Sequence, residues 1–110
     1  MTFARHVGIP YTGERFCAVL AAQVLAEAGI PWPDVDEPAA AIDWQRVERP
    51  RPYDVVVFTR AGQPAHVGVC TGKGRFLHVE EGATSRIELL SSPLHARRVE
   101  GFYRYTPRTA

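Results

Sequence analysis

Between Glu14 and Ala28 the apolar positions Cys17, Leu20, Ala21, Val24 and Ala28 recur at helical spacing and share a narrow sector at about 100° per residue, which predicts a helix. Thr12 and Gly13 stand ahead of it as cap residues, and Gly29 followed by Pro31 and Pro33 stops it. Cys17 then lies in the first turn, on the core side. Residues 31–53 are rich in Pro, Asp and Glu and read as a connection, with a short helical turn over Ala39–Trp44. Trp32 and Trp44 are expected to anchor this connection by packing, with substrate contact as the alternative.

After residue 53 the hydrophobic period shortens. Asp54–Thr59 (DVVVFT) is a β-branched and aromatic run with the composition and length of a buried strand. Arg60–Pro64 makes a turn, and His66–Cys70 and Arg75–Val79 flank Thr71-Gly72-Lys73-Gly74 as a hairpin. Arg86–Leu90 and Val99–Tyr105 predict two further strands, with Ser91–Leu94 as a loop between them. The resulting plan is α+β: one helix, then an antiparallel meander of about five strands, in a single domain spanning 1–110. There is no internal repeat and no low-complexity segment.

Composition narrows the function classes. The chain has 110 residues, 45% apolar and 23% charged, the range of an ordinary globular domain. At that length a folded chain buries roughly two-thirds of its unfolded surface, so no disulfide or metal is needed to complete a core. Thirteen basic and twelve acidic side chains leave a net charge of +1 with no basic stripe, which argues against nucleic acid as a partner. No run approaches the roughly 18 apolar residues of a membrane span, and the N-terminal stretch lacks the apolar core of a signal peptide. Unaided secretion or membrane insertion is accordingly not expected. Two cysteines, Cys17 and Cys70, are too few for a disulfide framework, so each is read first as a thiol.

A thiol becomes a nucleophile when deprotonated, and both a helix N-terminus and a nearby imidazole favour that state. Cys17 is placed for the first, and the strand beginning at His66 is the natural supplier of the second. Hairpin register decides whether His78 joins them. A three-residue loop, Gly72 to Gly74, with Gly74 left-handed in a bulge turn, pairs Thr71 with Arg75 and sets Gly68 opposite His78. His66 and His78 then share a face, and Gly68 leaves open space beside them. A two-residue loop, Gly72-Lys73, sends the histidines to opposite faces. The three-residue loop is preferred because Gly74 suits a positive φ. Thiol, imidazole and a second polar group form a nucleophile, base and orienter arrangement.

Three stretches around these residues resemble the NlpC/P60 family of papain-like cysteine peptidases and amidases, which cleave peptide stems of bacterial cell walls. They are GIPYTG (Gly8–Gly13) ahead of a cysteine that opens a helix, RPYDVVVF (Arg51–Phe58), and AHVGVCTGKGRFLHV (Ala65–Val79) with its histidine strand, glycine turn and second polar residue. GFYRY (Gly101–Tyr105) also looks like the family's last strand. The resemblance spans roughly residues 6–105 and is closest to short forms associated with phage and gene-transfer tails. It implies Cys17 as nucleophile, His66 as general base, His78 as the orienting residue and Tyr11 as a contributor to the oxyanion site with the Cys17 backbone N–H. No cofactor and no metal are implied. A zinc set of Cys17, His66, His78 and Cys70 has suitable ligand types but no close cysteine or histidine neighbour at the Cys17 end.

Where the family usually has an aspartate before the cysteine and a serine after it, this chain has Phe16 and Ala18, and the segment from Tyr11 to Cys17 is short. The missing acid normally helps engage the substrate's free amine, so its loss argues against ordinary wall-peptide specificity while leaving the three catalytic positions intact. Two functions follow from the resemblance. One is an amide hydrolase acting on peptidoglycan peptide as part of a phage-like tail; the other is a degenerate structural module that caps or plugs a tail tip among tail-tip proteins. Beside these stand plainer expectations. A cysteine on an apolar helix face is often a small buried hydrophobe, Cys70 is expected in the core, and His6 and His95 are read as surface or structural residues. Tyr11 is open between packing and oxyanion support, and Arg97-Arg98 is read as a solvated charge cluster.

Overall fold

A computed structural model describes residues 3–33 and 41–107. A 3-10 turn, Phe3–His6, leads to helix α1 (Phe16–Glu27) and then to strands β1 (Trp44–Val47), β2 (Val55–Arg60), β3 (Gln63–Gly72), β4 (Arg75–His78), β5 (Arg86–Leu89) and β6 (Val99–Tyr105). The helix lies against one face of a six-stranded sheet ordered β1-β6-β2-β3-β4-β5, with every neighbouring pair antiparallel. The α+β plan therefore stands, with two changes to the expected meander. The segment read as pure connection contains β1, whose Trp44 and Val47 pair with Tyr105 and Phe102. Strand β6 returns to lie between β1 and β2 instead of following β5 at the edge. Ala39 and Ala40 of the expected helical turn lie outside the described residues; residues 42 and 43 form a turn and Trp44 begins β1.

Helix α1 buries Leu20, Ala21, Val24 and Leu25 against Val55, Val57, Val69, Leu77 and Val79 from the sheet, with Phe3 and Tyr103 completing this core. Ala28, expected on the buried stripe, is exposed, and Leu25 takes its place. The helix ends as expected at Gly29: with φ of 73° it lets its own N–H reach Ala26 O and the Ile30 N–H reach Leu25 O, satisfying the last carbonyls. A second cluster, Val56, Phe58, Cys70 and Phe76, is covered by Leu90, Val99 and Phe102. Cys70 is 1% exposed and its thiol is pushed up to about 12 by burial and by the nearby Asp54, so it is a core residue, as expected. Asp54 is itself buried and accepts hydrogen bonds from Arg104 Nε at 3.0 Å, a second Arg104 nitrogen at 2.7 Å and the Arg51 N–H at 2.7 Å, locking β2 to β6. Among the described residues, no helix is long and apolar enough to cross a membrane.

Both hairpins that frame β3 are tighter than expected. The β2–β3 turn is only Ala61-Gly62, with φ of 52° and 79°, and the β3–β4 turn is Lys73-Gly74, with φ of 56° and 72°. Paired positive φ values at two central residues match the right-handed twist of the strands they join. Each tight turn is offset by one extra residue in β3. Phe58 pairs with His66 but Thr59 pairs with Pro64, leaving Ala65 as a bulge; Cys70 pairs with Phe76 but Gly72 with Arg75, leaving Thr71 as another. The second bulge restores the register expected from a three-residue loop, so Val69 faces Leu77 and the next pair sets Gly68 beside His78. Gly68 does not leave open space, however. A Cβ there would sit 3.0 Å from the Leu77 carbonyl oxygen, 3.0 Å from the Phe76 ring and 3.3 Å from the His78 Cβ, so glycine is what lets β4 approach.

Candidate active site

The site begins with the N-terminal segment. Gly8 N–H donates to Ser85 O at 2.8 Å, Ser85 N–H to Ile9 O at 2.8 Å, and Tyr11 N–H to Ala83 O at 3.0 Å, so residues 8–11 are tied to the loop before β5. The Ser85 side chain joins them, accepting from Ile9 N–H at 2.9 Å and donating to the His6 carbonyl. This fixes Tyr11, whose ring meets Phe16 edge-on at 5.8 Å and whose hydroxyl accepts the Phe16 N–H at 3.1 Å. The cap position of α1 is thus Arg15, not the expected Thr12 or Gly13; it is held left-handed at φ 53° with no side-chain cap bond, and the Tyr11 hydroxyl supplies an acceptor at this end. Cys17 is the second residue of the helix, half-buried, a free thiol, and without a hydrogen bond among the described residues.

His66 follows the Ala65 bulge, and such irregularities re-aim the next side chain. Its Nε2 lies 2.8 Å from His78 Nδ1, as the expected register requires, and its ring packs on Phe58 at 5.5 Å. His78, 2% exposed, is held between Phe76 at 4.4 Å and His95 at 5.1 Å, and its Nε2 bonds to Glu88 Oε2. Burial first, then the positive charges of the neighbouring histidines and of Arg98 and Arg60, lower the His66 pKa to about 4. His78 is lowered too, since burial outweighs its bond to Glu88. Burial opposes the Glu88 charge, but hydrogen bonds from His78 and Arg86 prevail and hold it at about 2. Near neutral pH His66 and His78 are accordingly neutral imidazoles and Glu88 is a carboxylate.

Cys17 and His66 line the same cavity, of about 420 Å³, together with Tyr11, Arg15, Trp32 and Trp44. The two tryptophans both pack on the main core, as the packing reading expects, and both also wall this cavity. Arg15 is the one acidic or basic side chain, histidine aside, that lines it among the described residues. His78 stands behind His66 rather than on the cavity. His6 is buried and pairs with Glu27 at 3.0 Å, tying the first turn to the end of α1, which is a structural role.

Two participants escaped the sequence reading. Glu88 lies on β5, where Glu88 pairs with Phe76 and Arg86 with His78, so the period-two pattern of RIEL placed an acid and a base on the histidine side. His95, 4% exposed, has its Nε2 3.2 Å from Glu88 Oε2. Nothing in its local sequence marks it, because the loop after β5 brings it there. Ligand atoms of His78, Glu80, Glu88 and His95 lie within 4.8 Å of one another, the separation that a divalent cation could bridge. The guanidinium of Arg86 already supplies positive charge at this point, 3.1 Å from Glu88 and 3.7 Å from Glu80.

The fold has solved counterparts. An NlpC/P60 family protein from Bacillus cereus ATCC 10987 superposes with a TM-score of 0.75 at 20% identity, over 94% of this chain and 38% of its own. A protein described as similar to lipoprotein, NLP/P60 family, from Staphylococcus aureus subsp. aureus Mu50 gives 0.73 at 20% identity, over 94% and 39%. This chain therefore spans about two-fifths of the length of either relative. No curated protein matches it. The sequence profile of the NlpC/P60 family, by contrast, matches residues 4–104, from the first turn through the last strand, and this chain belongs to the NlpC/P60 family.

Proposed function

We propose that this chain is a cysteine peptidase or amidase that hydrolyses amide bonds of peptidoglycan stem peptides, with Cys17 as nucleophile, His66 as base and His78 as the residue that orients it. The observation that carries this reading is the shared cavity of Cys17 and His66, with His66 backed by a 2.8 Å bond to His78. His66 is neutral near pH 7, so it can take the thiol proton as sulfur adds to the amide carbonyl. The oxyanion that forms meets the Cys17 N–H, which has no intrahelical acceptor, and the Tyr11 hydroxyl, whose proton is uncommitted while its oxygen caps α1. Collapse breaks the C–N bond, His66 returns its proton to the leaving amine, and water then hydrolyses the thioester.

The test needs no substrate. Alkylation of Cys17 by iodoacetamide, followed in a Cys70→Ser background, should slow at least about tenfold at pH 7 on His66→Ala. An unchanged rate would leave Cys17 without a base. The alternative reading, a degenerate module capping a tail tip, rests on Phe16, Ala18 and the short segment from Tyr11 to Cys17. The same series separates it, because a plug has no need of a His66-dependent thiol.

Specificity follows from the cavity's charge. Phe16, in the place of the family's aspartate, packs on Tyr11 and the main core, and no carboxylate lines the cavity among the described residues. Arg15 does line it, and its side chain makes no hydrogen bond or ion pair among the described residues. Peptides bearing a free carboxylate near the scissile bond should be preferred over those bearing a free amine. Arg15→Ala should raise KM for such a peptide about tenfold with little change in kcat, as loss of one charge-assisted contact predicts. Equal KM values for wild type and variant would remove Arg15 from recognition.

A further inference from the structure

We infer that Glu88 is a positioning residue of this site: by accepting from His78 Nε2 it fixes the tautomers of two successive imidazoles and leaves Nδ1 of His66 bare as the base. The inference rests on the reading of Cys17 and His66 given above and extends it by one residue on a different strand. An ionised carboxylate only accepts hydrogen bonds, so the His78 Nε2 that meets Glu88 Oε2 carries the proton. A neutral imidazole has one N–H, which leaves His78 Nδ1 as a lone pair. That lone pair faces His66 Nε2 at 2.8 Å, so His66 Nε2 carries its proton in turn. His66 Nδ1 is then unprotonated and, among the described residues, without a partner.

Without Glu88 the opposite arrangement becomes available. A proton on His78 Nδ1 would donate to His66 Nε2 and force the remaining proton onto His66 Nδ1, where it would block transfer from a thiol. Glu88 is held for its task from two further sides: His95 Nε2 at 3.2 Å and Arg86 Nε at 3.1 Å converge on the same oxygen. The carboxylate has a second use once His66 is protonated, because the imidazolium still donates to His78 Nδ1 and a negative charge stands behind that ring. The arrangement repeats on a longer scale the way a buried acid orients a catalytic histidine, with one more ring interposed.

The tautomers can be read directly. Long-range proton–nitrogen correlation spectra of the full chain labelled with nitrogen-15, at pH 7, should show both His66 and His78 protonated on Nε2. A proton on Nδ1 of either ring in the wild type overturns the inference before any variant is made. Glu88→Gln, which can donate as well as accept, should give mixed tautomers and slow Cys17 alkylation about tenfold or more, and Glu88→Asp should recover part of both. If Glu88→Gln keeps the Nε2–H tautomers and the wild-type rate, Glu88 has only a structural part. A stoichiometric zinc ion retained by the purified chain, whose removal by a chelator shifts the His78 and His95 signals, would also overturn it, since metal and not a proton would then occupy Nε2. Failure of the functional reading looks different: Cys17 would be unreactive and indifferent to His66, while the tautomer spectra would still report on Glu88.

Discussion

Cys17→Ala should lower cleavage of peptidoglycan stem peptides by at least about a thousandfold, the scale on which hydrolases lose rate when the nucleophile is removed. The fold should survive it. Cys17 is half-buried in the first turn of α1, makes no hydrogen bond among the described residues, and lies outside the cluster of Leu20, Ala21, Val24 and Leu25 that holds the helix to the sheet. Its truncation should cost only about 1 kcal/mol of stability. Purified muropeptides incubated with wild type and variant, with new amine ends counted by mass spectrometry, give the comparison. Full activity in the variant would show that some other group attacks the amide, and Cys70, at the bottom of the second cluster with its pKa pushed up to about 12, is no substitute.

Acid should destabilise the protein in a window that His66 defines. Its pKa falls from 6.5 in the unfolded chain to about 4 in the fold, chiefly through burial. Between those values the unfolded chain binds a proton that the native state refuses, so stability rises with pH across the window and is lost as pH falls through it. Integrated over the shift, the loss is about 3 kcal/mol by pH 4. His78, also lowered, acts in the same direction. Glu88 adds a later loss below pH 4.5, as the carboxylate that His78 and Arg86 hold at about 2 becomes protonated; its partial exposure makes this contribution smaller. Urea unfolding at pH 7, 5 and 4, followed by far-ultraviolet circular dichroism, should show the decline in wild type and a flatter profile in His66→Gln. Parallel profiles would mean that His66 is not desolvated in the native state.

Such a window was not visible in the sequence, although the residues that produce it were. His66 and His78 could be placed on one face because side chains alternate along a strand and Gly74 favours positive φ, and they do meet at 2.8 Å. The turn that achieves this differs: Lys73 also takes a positive φ, and a bulge at Thr71 compensates. Two local geometries can yield one register, and residue preferences do not separate them. Gly68 shows the opposite limit. As a glycine beside two histidines it suggested space, yet Phe76, Leu77 and His78 fill the approach.

Local pattern in the chain alone determined the helix, its stop at Gly29, the four strands from Val55 to Leu89, the last strand and the α+β class, because helical spacing, short β-branched or aromatic runs and Gly or Pro turn residues are each read within one stretch of chain. Motif spacing likewise determined which cysteine and which histidines to watch. Only the tertiary structure decided that WQRV forms an edge strand, that β6 inserts between β1 and β2, and that Tyr11 rather than Thr12 caps α1. It alone brought Glu88 and His95 to His78 and, among the described residues, left Arg15 as the charge on the cavity. The reason is physical: these partners come from segments up to several tens of residues apart, and what joins them is sheet order, bulges and burial, none of which leaves a periodic trace in any one stretch of chain.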